Sequence, residues 1–103
     1  MTDHEKSAST NGRSLLDLRP EVIWFALQME GKLRENDHKE GWRDEHLFYL
    51  INSLDRERRE LWEALNEPDL TEKHAREIIR ECADVANFAL MIADVVRLRW
   101  PRN

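Results

Sequence analysis

The chain has 103 residues, with 16 Lys+Arg against 21 Asp+Glu and a formal net charge of -5. This length predicts one small domain, and 41% hydrophobic residues are too many for a wholly disordered chain. The acidic surplus argues against a dedicated nucleic-acid binder, which shows a basic patch or stripe. The longest apolar runs, residues 22–27 and 88–93, fall far short of the about 20 residues a membrane span needs. A lone Cys82 excludes an internal disulfide framework and a Cys-based zinc site. It fits a cytoplasmic location.

Residues 1–13 hold only Met1 and Ala8 as apolar side chains and are expected to be a disordered polar tail. Residues 14–103 are expected to form a single all-α domain. A first helix is predicted from Pro20 to Asn36, with Pro20 in its first turn and Val22, Ala26, Met29 and Leu33 as one stripe. The breaker-rich stretch Asn36–Arg43 reads as a turn.

A second helix is predicted from Asp44 to Asn66, with Leu47, Leu50, Ile51, Leu54, Leu61 and Leu65 on its buried face. Pro68 closes it. Asp69 or Thr71 is placed to cap a third helix that runs to about Leu98, before Pro101. From Ile78 to Val96 this helix is apolar on most sides, which implies burial on most sides. Three helices of a domain this small give little cover for it. The expected architecture is therefore a helical bundle of three main helices per chain, completed by homodimerisation.

Two acidic pairs interrupt the apolar faces. Glu57 follows Leu50 and Leu54 on one stripe, with Glu60 one turn on; Glu81 and Asp84 lie among Ile78, Cys82, Val85 and Phe88. Members of each pair are three apart and neighbour each other on a helix. Buried carboxylates must be paired, protonated or bound to a cation, and like charges raise one another's pKa. Mg²⁺ answers both needs with hard oxygen ligands, and often bridges to substrate phosphates. The competing account is salt bridges from Arg56, Arg58, Arg59, Arg76 and Arg80.

The segments Glu57-Arg58-Arg59-Glu60-Leu61-Trp62-Glu63-Ala64 and Glu81-Cys82-Ala83-Asp84 resemble the MazG-like all-α nucleotide pyrophosphohydrolases, whose signature is E-x-x-E on one helix and E-x-x-D on the next. The likeness covers roughly residues 20–98. It implies hydrolysis of nucleoside triphosphates between the α- and β-phosphates, Mg²⁺ dependence (with Mn²⁺ as a substitute) and a homodimer or dimer of dimers. It makes Glu57, Glu60, Glu81 and Asp84 the metal ligands. The chain departs from the family by brevity, with no fourth helix of any length read after Leu98.

Under that reading, Glu57 or Glu60 takes a proton from the attacking water; the sequence does not choose between them. Lys32, Lys39 and Arg43 are candidates to meet the phosphates, and each also reads as an ordinary surface charge. Asn87, inside the run VANFAL, reads as a ligand to base or sugar, or as a residue satisfied within the protein. Trp42 sits in the polar turn KEGWRD and reads either as a base-stacking platform or as packing. Trp24 and Trp62 read as packing or interface residues. The histidines read as surface residues: Glu35-x-x-His38 has the spacing of a di-iron ligand pair, but no second such pair occurs. The alternative to an enzyme is a non-catalytic helical dimerisation or nucleotide-binding module.

Overall fold

The computed structural model describes residue 14 and residues 17–37, 41–68 and 70–100. The expected tail, His38, Lys39 and Asp69 lie outside them. The described residues form three helices and no strand: α1 (Pro20–Glu35), α2 (Leu47–Leu65) and α3 (Glu72–Arg99). None is long and apolar enough to cross a membrane.

Pro20 occupies the first turn of α1, as predicted, and the Asn36 side-chain amide closes the helix on the Lys32 carbonyl at 3.2 Å. Helix α2 starts at Leu47, three residues later than expected. Trp42 to Glu45 fold into a turn instead, with the Glu45 N–H donating to the Trp42 carbonyl at 3.0 Å. Thr71 caps α3, its hydroxyl accepting from the His74 N–H at 3.1 Å.

The cross-helix bonds fix the topology. Glu35 meets Arg80, Lys32 meets Asp84 and Met29 meets Asn87, so α1 runs antiparallel to α3. His74 meets Ala64 near one end of α2, and Arg99 meets Glu45 just before its other end, so α2 is antiparallel to α3 as well. Both packed pairs involve α3; α1 and α2 do not pack on each other. They stand on either side of α3 and leave a trough above it.

The buried faces differ in detail from the predicted stripes. On α1, Phe25, Gln28, Met29, Lys32 and Leu33 turn inward, while Val22 and Ala26 are exposed. The run from Val22 to Leu27 is apolar throughout, so periodicity alone did not fix the rotation of this helix. On α2, Leu50 and Ser53 are buried, but Ile51 and Leu65 are 46% and 61% exposed. The small side chains of Ser53 and Ala83 are both fully buried, on the two helices that pack most extensively. On α3 the buried line is Ala83, Asn87, Asp94 and Val95, with Ala89, Leu90 and Val96 left exposed. The fully buried apolar core among the described residues is thus only Leu50, Ala83 and Val95.

Candidate metal centre

Leu50, Ser53 and Leu54 set the inward face of α2, and Glu57 continues it one turn later. Facing it, Glu81 and Asp84 project from consecutive turns of α3. One carboxylate oxygen from each of Glu57, Glu81 and Asp84 lies within 4.8 Å of the other two. This brings the two acidic pairs of the sequence together across the helix interface. Glu60 is exposed and stands at the edge of this trio rather than within it.

The electrostatics are those of crowded, half-buried anions. Burial, a proton shared with Glu60, and repulsion from Glu60, Asp84 and Glu81 push the Glu57 carboxyl up to about 7. Burial and the nearby Glu60 and Asp84 charges raise Glu81. Burial also raises Asp84, against the opposing pull of Lys32 and Arg80. The Glu81 Oε2 atom is buried with no hydrogen-bond partner among the described residues.

The salt-bridge account of these acids does not hold. Arg58 and Arg59 pair with Asp55, Arg76 with Glu72 and Arg80 with Glu35. Arg56 lines the neighbouring cavity, yet no ion pair joins it to the cluster among the described residues. Lys32 alone reaches in, its Nζ 3.5 Å from Asp84 Oδ2 and 3.5 Å from Glu35 Oε1. Three carboxyl groups therefore face one shared ammonium. Hard oxygen donors on two rigid helices, one of them an unpaired buried oxygen, fit a divalent cation such as Mg²⁺.

The trough between α1 and α2 widens beside the cluster into a cavity of about 770 Å³. Glu57, Asp84 and Lys32 line it on the side of the cluster, and Asn87, Met91 and Trp42 continue the lining, with Glu30, Asp37 and Glu45 also in the wall. Asp84 and Asp94 are separated by about 15 Å along α3, at 1.5 Å per residue. Near that far end, the Trp42 indole Nε1 donates to Asp94 Oδ2 at 3.0 Å.

The remaining predicted residues divide. Lys32 and Trp42 line the cavity, and Asn87 does so while its amide Nδ2 donates to the Met29 carbonyl at 3.0 Å. Arg43 does not line it; its guanidinium Nε donates to Asp94 at 3.1 Å instead. Lys39 lies outside the described residues. Sequence reasoning missed Asp94, a 6% exposed carboxylate whose place at the end of an apolar run was the available signal. It also missed His74, whose Nε2 meets the Ala64 carbonyl at 2.6 Å and ties the end of α2 to the start of α3. Tyr49 and Arg56 join the cavity wall without any motif to announce them.

Comparison with protein-family models, curated proteins and solved structures found no match to this chain.

Proposed function

We propose that the protein is a Mg²⁺-dependent nucleoside triphosphate pyrophosphohydrolase of the MazG-like kind, releasing a nucleoside monophosphate and pyrophosphate. The observation that supports it is the convergence of Glu57, Glu81 and Asp84 oxygens within 4.8 Å, beside a cavity of about 770 Å³ that Glu57 and Asp84 help to line. Such a cavity suits a ligand with a polyanionic tail and a planar head. House-cleaning of the nucleotide pool is the matching role.

Glu57, Glu81 and Asp84 hold the cation. When bound, Mg²⁺ neutralises phosphate charge and lowers the pKa of a coordinated water. Glu60, beside Glu57 but outside the close trio, is the carboxylate that takes a proton from the attacking water. Lys32 turns from Asp84 toward the phosphates once the acids have another cation. Trp42 flanks the base. Asn87, one turn beyond Asp84, meets the sugar side.

The chain works as a homodimer. Helix α1 has no buried residue, and Trp24, Leu27, Phe48 and Trp62 are 48%, 65%, 81% and 60% exposed. Exposed apolar side chains of this size on α1 and α2 support pairing with a second copy.

The test is pyrophosphate release across canonical, oxidised and methylated nucleoside triphosphates, with Mg²⁺ and with chelator. Turnover that needs Mg²⁺ and is lost in Glu60→Gln and Asp84→Asn, both still helical, supports the enzyme. No turnover across the panel leaves the helical dimerisation module as the better reading.

A further inference from the structure

Asp94 interrupts the apolar run of α3 between Ala93 and Val95, at 6% exposure. A carboxylate so placed is costly unless its oxygens are hydrogen-bonded. Both are. Oδ1 accepts from Arg97 Nε at 2.7 Å, one turn along the same helix, which fixes the rotation of the carboxylate. Oδ2 then faces the segment before α2 and accepts from Trp42 Nε1 at 3.0 Å and Arg43 Nε at 3.1 Å. Arg99 adds a second tie to the same segment, donating to the Glu45 carbonyl at 2.8 Å. Trp42 lines the cavity whereas Asp94 does not. The Trp42 indole N–H bonds to Asp94 and, among the described residues, makes no other hydrogen bond, so this contact ties the ring to α3.

We infer that Asp94 is the positioning residue for nucleotide binding, holding the Trp42 indole as the base-end wall of the cavity while touching no substrate itself. The inference rests on the proposed function, since it assigns the Trp42 end to the base and the carboxylate end to the phosphates. Stacking on an aromatic plane tolerates any base but depends on the orientation of that plane. Asp94 therefore governs how tightly a nucleotide is held and leaves the phosphate end unchanged.

Calorimetry in Mg²⁺ tests this with two ligands: an α,β-methylene nucleoside triphosphate, which has a base, and inorganic tripolyphosphate, which has none. Asp94→Ala is expected to weaken the nucleotide about tenfold and to leave tripolyphosphate unchanged. Asp94→Asn keeps an acceptor for the indole and is expected to fall between Asp94→Ala and wild type. Trp42→Ala should match Asp94→Ala, and the double variant should be no weaker than Trp42→Ala alone. Trp42→Phe, which keeps a ring but loses the N–H, serves if Asp94→Ala does not fold, and should also weaken the nucleotide alone. Equal weakening of tripolyphosphate, or an Asp94→Ala effect that persists in the Trp42→Ala background, overturns the inference. So does a wild type that binds tripolyphosphate but not nucleotide, with the metal–phosphate reading intact. A wild type that binds neither ligand sinks the proposed function and this inference with it.

Discussion

Lys32 Nζ lies 3.5 Å from Asp84 Oδ2, and this ammonium is the one positive group that touches the acidic trio among the described residues. The lysine side chain is only 17% exposed, so its attraction to Asp84 is less screened than that of a surface pair. Under the proposed function, it stands in the place that a divalent ion would take beside Asp84. A divalent ion would displace it toward an incoming phosphate. Lys32→Gln is therefore expected to raise KM for a nucleoside triphosphate about tenfold, while Mg²⁺ affinity without nucleotide stays the same or rises. A Mg²⁺ titration beside steady-state kinetics measures both; weaker Mg²⁺ binding in the variant would contradict this account.

Glu57 shows the cost of the same cluster. Its carboxyl is pushed up by burial and by three neighbouring acids, so the charged form strains the metal-free fold. Glu57→Gln removes a charge but keeps the shape. The variant is expected to melt higher than wild type in chelator at pH 8. In saturating Mg²⁺ the order should invert. At a Mg²⁺ concentration about 100-fold above Kd, wild type gains about 2.7 kcal/mol that a variant lacking a ligand forgoes. Thermal melts with and without chelator check this. A Mg²⁺ response retained in full would remove Glu57 from the ligand set.

The pH dependence has a definite sign. Between 4.5, the ordinary value, and about 7, the folded protein keeps a proton on Glu57 that the unfolded chain has released. The folded state binds more protons there, so stability falls as pH rises through this window. Glu81 and Asp84 are raised too and act in the same direction. Asp94 acts oppositely: burial raises it, but the bonds from Trp42, Arg43 and Arg97 together hold it below the usual range, so its contribution is lost only in stronger acid. The metal-free melting temperature should thus be higher at pH 6 than at pH 8, by roughly 5 °C. Mg²⁺ should reverse the trend, because binding releases the proton. A metal-free melting point that climbs from pH 6 to pH 8 would refute the assignment.

These expectations were readable in the sequence to unequal degrees. The three helices follow from periodicity, Pro20 and Thr71, and the E-x-x-E and E-x-x-D spacings told which carboxylates share a face. Spacing within a helix says nothing about the partner helix, so the exclusion of Glu60 from the close trio needed the α2–α3 packing. The rotation of α1 was hidden because the run from Val22 to Leu27 is apolar on every side. The Trp42–Asp94 bond spans 52 positions, and no local pattern connects a turn tryptophan to an acid at the far end of α3.

That all-apolar run gives the last prediction. Phe25 and Met29 face α3, so Ile23, Trp24 and Leu27 on the other side of α1 are left 44%, 48% and 65% exposed. In an isolated chain, Leu27→Glu would replace one exposed side chain by another and change stability by less than about 0.5 kcal/mol. In a homodimer it would bury a charge where Leu27 contributes about 1.5–3 kcal/mol. The wild type is expected to sediment as a dimer, with a melting temperature that rises with protein concentration. Leu27→Glu should sediment as a monomer whose melting temperature is lower and independent of concentration. Equal melting of the two proteins across a hundredfold concentration range would mean that this face of α1 does not join two copies.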